Sequence, residues 1–282
     1  MTCERCRGTG FEIVEKDGRE FAAKCGCRKG TGSADSGDAL LRACRIPPRY
    51  EHCALTSADP APHHLRPFEL HNQSLVSALE RVTSYCSGYP HLGHDEGLGL
   101  LFTGISGVGK THLAVAALKE LVTTKGASGQ FWDFHELIRE IRNSYDPETK
   151  TTELDVLEPV VSCDILLLDD LGAWKMTDWM LDTLFFILNS RYLAKRATLI
   201  TTNFPDASAE AAAKDTSNQR REYLVERIGA PLRSRLMEMC LVIPMTGNDY
   251  RQIRQDGKNV GAWAASQAST TPPRAPKPRF GG

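Results

Sequence analysis

Residues Gly104-Ile105-Ser106-Gly107-Val108-Gly109-Lys110-Thr111 read G-x-x-x-x-G-K-T, and no other stretch restricts the fold of this chain as tightly. The apolar run Leu98–Thr103 leads into it and the helix-forming run Leu113–Leu118 leads out. Such a loop works when a strand delivers it and a helix N-terminus receives the anion. Gly104 and Gly109 let the backbone turn so that successive N–H groups converge on phosphate oxygens. Lys110 brings a point charge to the β- and γ-phosphates, the Thr111 hydroxyl is a Mg²⁺ ligand, and His112 is grouped with the loop as a nucleotide contact. A Gly-rich turn before an ordinary helix leaves the Lys-Thr pair unexplained. The stretch predicts a nucleotide site.

Its surroundings predict the architecture. Strand-like runs at Leu98–Thr103, Gln130–Phe134, Ile165–Asp169, Thr198–Thr202 and Leu241–Ile243 alternate with helical patterns such as Thr111–Thr123 and Thr177–Leu193. Alternation of this kind means crossover connections and an α/β domain with a mainly parallel five-stranded sheet. Ile165–Leu168 and Thr198–Ile200 are continuously apolar, as strands buried on both faces require. Asp169 and Asp170 end the third of these runs. A carboxylate at the end of a strand adjacent to the phosphate-loop strand reaches the Mg²⁺ shell, and a second orients the attacking water. Asp169 is thereby assigned to the metal and Asp170 to the water; taken alone, the pair also fits a helix N-cap or turn. Asn203, after Thr201-Thr202, is expected beside Asp170.

Lys+Arg number 34 against Asp+Glu 35, so any nucleic-acid contact must come from a local patch. No apolar run approaches the roughly 20 residues of a membrane span, and Met1–Arg5 has no apolar signal core, which points to the cytoplasm. Of nine cysteines, Cys44, Cys53, Cys86, Cys163 and Cys240 are scattered singly, against a disulfide framework. Cys3-x-x-Cys6 and Cys25-x-Cys27 instead bracket a hairpin-like sequence around Asp17-Gly18. Two such knuckles can close a tetrahedral Zn²⁺ site, which so small a module needs in order to fold; redox-active thiols and an iron–sulfur cluster are the lesser alternatives. His63, His64, His71, His91 and His94 read as surface histidines. The expected organisation is a zinc module over 1–30, a linker and irregular pre-core segment over 31–67, the main domain over 68–252, and a disordered basic Pro-rich tail over 253–282.

The order phosphate loop, helix, strand-Asp-Asp, helix, strand-Thr-Asn resembles the AAA+ P-loop ATPases, with Asn203 at the sensor-1 position. Glu226–Cys240, with Gly229 able to close one helix and Pro231 to open the next, is similar to the DnaC/DnaI replicative helicase loaders and the IstB-like transposition ATPases, above all in Ser234-Arg235-Leu236-Met237-Glu238-Met239. Ile46-Pro47-Pro48-Arg49-Tyr50 and Phe131–Ile138 resemble the same group, over about residues 44–252. The resemblance implies an AAA+ core with a zinc-ribbon-like head. It makes Arg235 an arginine finger given in trans within a homo-oligomer, and Arg251 of Asp249-Tyr250-Arg251 a sensor-2-like contact. It implies ATP and Mg²⁺ between subunits, slow hydrolysis because Asp170 replaces the commoner Glu, a ring-shaped DnaB-like helicase as partner, and single-stranded DNA near Arg139, Arg142 and Lys150. A transposase-regulating ATPase and a nucleotide-gated adaptor are the rival readings.

Overall fold

The computed structural model describes residues 11–16, 19–24, 34–55, 73–90, 99–207, 222–249 and 251. Cys3, Cys6, Cys25 and Cys27, the five histidines from His63 to His94 and the tail over 253–282 lie outside them. Phe11–Lys16 (β1) and Arg19–Lys24 (β2) form an antiparallel hairpin closed between Lys16 and Arg19, as Asp17-Gly18 predicts.

Gly99–Thr103 (β3), Gly129–Asp133 (β4), Ile165–Asp169 (β5), Ala197–Thr202 (β6) and Cys240–Pro244 (β7) build a sheet in the order β4-β5-β6-β3-β7. Each neighbouring pair is parallel, and β3, β5 and β6 are buried along their whole length. Each large apolar side chain among them, such as Leu100, Leu167 or Ile200, contributes roughly 1.5–3 kcal/mol by leaving water.

On one face pack Ala34–Ala43 (α1), Gln73–Gly88 (α2) and Lys110–Lys125 (α3). On the other lie Phe134–Asn143 (α4), Glu153–Ser162 (α5), Asp178–Leu193 (α6) and Leu224–Met239 (α7). Local chemistry marks their ends. The Asp133 side chain caps α4 by accepting from Glu136 N, Thr152 and Asp155 form a capping box on α5, and Thr177 caps α6. Inside α7, Gly229 takes φ 80° and ψ 159° just before Pro231, so the helix is two pieces joined at the predicted break.

Two expectations are corrected. Residues 34–38, read as linker, begin helix α1, because Leu40 and Leu41 beyond them pack onto the core and hold the whole helix down. Residues 44–55 are irregular apart from the 3₁₀ turn Pro48–Tyr50, as expected, but the domain start at 68 is too late, because they contribute fully buried Cys44 and Cys53 to that core and Phe131 N donates to Cys44 O at 2.7 Å. All five scattered cysteines are free and buried. No helix among the described residues is long and apolar enough to cross a membrane.

Candidate nucleotide site

The phosphate loop leaves β3 at Thr103 and enters α3 at Lys110. Gly104, Gly107 and Gly109 have φ of 148°, 80° and 104°. At Gly104 and Gly107 space also demands glycine: a Cβ would meet Met245 O at 2.0 Å and Asp249 Oδ1 at 1.8 Å. The chain leaving β7 is thus seated against the loop. Val108 is buried in the core as the loop's anchor, whereas Ile105 is 55% exposed.

Around the loop opens a cleft of about 500 Å³, lined in part by Ser106, Gly107, Gly109, Lys110, Thr111, His112, Asp169, Asp170, Asn203 and Arg251. That volume suits a small-molecule ligand. Lys110 Nζ donates to Gly104 O and Ile105 O at 2.8 Å and to Asn203 Oδ1 at 2.7 Å. Asn203 Nδ2 in turn donates to Asp170 Oδ1 at 2.6 Å. Thr111 Oγ1 donates to Asp169 Oδ1 at 2.8 Å. The cation, the amide and both carboxylates therefore meet in one place.

The placement of Asp169 needs a correction. Its strand β5 is not adjacent to the phosphate-loop strand β3, because β6 lies between them. Sequence runs reveal strands but not their lateral order. The gap is spanned by Thr201 of β6, whose Oγ1 donates to Asp169 Oδ1 at 2.6 Å and accepts from Asp170 N at 2.9 Å. Leu171 N also donates to Thr201 O, and Thr202 Oγ1 donates to Leu171 O. With these bonds β6 holds Asp170 in a left-handed conformation, φ 59°. Thr201 was missed by sequence reasoning: a threonine in a β-branched run reads as an ordinary strand residue. Arg49, Tyr50, His52 and Asp133 also line the cleft. Of these, Arg49, Tyr50 and Asp133 fall in the stretches that carry the resemblance, and His52 does not.

Burial shifts the site's titrations. It lowers the Lys110 ammonium to about 8, against the opposing pull of Asp170 and Asp169. It raises the Asp169 carboxyl, opposed by the bonds from Thr201 and Thr111. Asp170 is raised by burial and next by the nearby Asp133. A phosphate-bearing ligand with its cation reverses this balance, because it adds negative charge to Lys110 and positive charge to the carboxylates.

Arg235 does not line the cleft. Its guanidinium lies 4.3 Å from the Tyr192 ring centroid and 3.7 Å from Glu238. Arg233, two positions away, pairs with Asp206 at 2.6 and 2.8 Å, so the two arginines do point to different sides.

A model of the IstB-like ATP binding protein family matches residues 94–257. The replicative helicase loader DnaI of Bacillus subtilis (strain 168) is 31% identical over 193 residues, covering 68% of this chain and 56% of that protein. This chain therefore spans little more than half of DnaI's length. The phage-like element PBSX protein XkdC of the same organism is 26% identical over 248 residues, covering 84% of this chain and 79% of that one. A crystal structure of the DnaC helicase loader superposes with a TM-score of 0.55 at 29% identity, covering 71% of this chain and all of that chain. With its phosphate loop, its Asp169-Asp170 strand end and its parallel sheet, this chain belongs to the IstB-like ATP-binding protein family and carries the AAA+ core of the DnaC and DnaI type.

Proposed function

We propose that this protein is an ATPase that loads a ring-shaped, DnaB-like replicative helicase onto single-stranded DNA. One observation carries the reading: Lys110, Asn203 and Asp170 form a hydrogen-bonded line beside the Thr111–Asp169 pair. Thr111 and Asp169 would hold Mg²⁺, which would supply positive charge to the triphosphate oxygens. Lys110 exchanges its loop carbonyls for β- and γ-phosphate oxygens. Asp170 orients the attacking water and Asn203 bonds a γ-phosphate oxygen; the new P–O bond forms as the bond to ADP breaks. The short Asp170 side chain makes intrinsic turnover slow. Arg251 reaches the nucleotide from the C-terminal side of the cleft.

Arg235 acts in trans within a homo-oligomer, which fits its position outside its own cleft. Mixing Arg235→Ala with Lys110→Ala, each nearly inactive alone, restores part of the ATPase activity; no recovery despite co-assembly makes Arg235 structural.

Single-stranded DNA runs along α4 and the segment after it. Arg142 lies 5.3 Å over the Trp179 ring, and Tyr145, 51% exposed, meets that ring edge-on at 6.2 Å. With exposed Arg139 and Lys150 nearby in sequence, the surface offers both parts of a single-strand track, basic groups and stacking rings.

The N-terminal head holds Zn²⁺ through Cys3, Cys6, Cys25 and Cys27 and contacts the helicase. Phe11 pairs with Lys24, so the chain ends leading toward Cys6 and Cys25 start side by side. The deciding experiment measures helicase capture and ATP-dependent loading by the full chain and by a chain lacking residues 1–30. The deletion stops short of α1, which belongs to the core. Loading by the full chain and loss of capture on deletion are expected. A chain that binds no ring helicase but stimulates a transposase supports the IstB-like regulator instead, and ATP binding without turnover, with or without DNA, supports an adaptor.

A further inference from the structure

Among the described residues, His52, Cys53 and His112 each bring one nitrogen or sulfur atom to within 4.8 Å of the others. Cys53 is fully buried, and its Sγ lies 3.2 Å from His112 Nδ1. The rings of His52 and His112 stand 5.6 Å apart, centroid to centroid. None of these side chains is needed for the phosphoryl transfer proposed above.

All three groups sit on fixed backbone. His112 is in the first turn of α3, directly after Thr111. His52 and Cys53 follow the 3₁₀ turn Pro48–Tyr50, which is tied down by Glu51 N donating to Pro48 O and Cys53 N to Tyr50 O. In a tetrahedral zinc site with ordinary Zn–S and Zn–N lengths, neighbouring ligand atoms stand about 3.3–3.6 Å apart. Cys53 and His112, at 3.2 Å, stand slightly inside that spacing, and His52, exposed and adjacent to Cys53, closes the remainder by side-chain rotation. One thiolate and two imidazoles select zinc-class ions over Mg²⁺, which prefers oxygen. The ligand set is therefore distinct from the oxygen pair formed by Thr111, the residue before His112, and Asp169 at the end of β5.

We propose that His52, Cys53 and His112 form a binding site for a Zn²⁺-class ion at the rim of the nucleotide cleft, and that its occupancy opposes nucleotide binding. His52 and His112 both line the cleft. Drawing their rings onto an ion removes them from the surface offered to a nucleotide, and by linkage each ligand weakens the other by the same factor.

The test uses the full chain carrying Cys3→Ser, Cys6→Ser, Cys25→Ser and Cys27→Ser, so that head thiols contribute nothing. Titrated with Co²⁺, this parent binds one ion per chain with a single-thiolate charge-transfer band. Cys53→Ala and His52→Ala each lose that stoichiometric binding. If buried Cys53→Ala fails to fold, exposed His52→Ala still decides the matter. A parent that binds no Co²⁺ at micromolar concentration overturns the site, as does binding that survives the two substitutions. Zn²⁺ is further expected to raise the dissociation constant of a fluorescent ATP analogue several-fold in the parent and not in His52→Ala. Chelation of zinc by the nucleotide is equal in both proteins and cancels. Equal shifts in the two overturn the competition.

Discussion

Two buried cations stand at opposite ends of the strands of one sheet. Lys110, 5% exposed, stands where β3 ends; Arg191, fully buried, stands where β5 and β6 begin. Arg191 comes from the last turn of α6. Its Nη1 donates to Val160 O and Cys163 O at 2.9 Å, its Nε to Thr198 Oγ1 at 3.0 Å, and its Nη2 to Ala197 O. Those carbonyls belong to the last turn of α5, to Cys163 just beyond it and to the first residue of β6, where regular backbone bonding stops and starts. The planar guanidinium carries its donors on three nitrogens and so meets acceptors spread around its plane, whereas an ammonium donates from a single nitrogen. Lys110 also satisfies backbone carbonyls, but they are those of a loop that a phosphate can relieve. A buried charge with permanent acceptors is architecture; one with replaceable acceptors is waiting for a ligand.

The contrast can be broken by exchanging the outcomes of mutation. Lys110→Met should reduce ATP hydrolysis by about 10³-fold or more, the order by which phosphoryl transfer depends on a well-placed cation. It should not lower the melting temperature. The folded-state value of about 8 lies below the usual 10.5, so the charged form opposes folding at neutral pH and its removal relieves that. Steady-state ATPase and thermal melts of one preparation check both halves. Arg191→Met should do the reverse and lower stability by about 3–5 kcal/mol, because it strands carbonyls in the interior. Denaturant unfolding measures this, and nucleotide affinity of the still-folded fraction should be unchanged. If Arg191→Met is as stable as wild type, the architectural half of the comparison fails.

Acidity sharpens the functional half. Nucleotide binding needs Lys110 charged, so affinity should be level below pH 8 and fall as pH rises past it, by up to about tenfold per unit. Equilibrium titration from pH 7 to about 9.5 tests this, and a level profile means that Lys110 keeps its proton without the ligand. The smallest effect is expected at the proposed DNA face. Arg142→Glu should weaken single-strand binding several-fold and flatten the salt slope by about 0.7, the value of one phosphate contact. An unchanged slope places the DNA path elsewhere.

Lys110 and Arg191 also differed in how visible they were in the sequence. Lys110 sits in a spaced pattern that only one chemistry explains, and the strand before it and helix after it were legible from their apolar runs. Arg191 was not, because an arginine in Asn189-Ser190-Arg191-Tyr192 looks like any residue on a wet helix face; its burial follows from how α5, β5 and β6 converge. The same reason explains the lateral position of β5. Burial on both faces marks a strand as central and leaves its neighbours open, so Asp169 was assigned to the metal through the wrong adjacency. The start of α1 reads as linker because Gly32–Asp38 is polar, although Leu40 and Leu41 within the next turn decide its fate. Gly229 and Pro231 were legible because their backbone limits are intrinsic and need no tertiary partner.

Thr201 carries a consequence for which substitutions the family's scaffold tolerates. Its hydroxyl donates a hydrogen bond to Asp169 Oδ1 and accepts one from the backbone N–H of Asp170, so a single oxygen sets the spacing of both acids. Valine has the same shape and would fill the space between β3 and β5, yet it can do neither, which makes the apparently gentle exchange the harmful one. Serine loses a methyl group and keeps both bonds. Drift at this position should therefore follow chemistry and ignore shape, the opposite of Leu199 and Ile200 beside it, where any apolar side chain of suitable volume can stand.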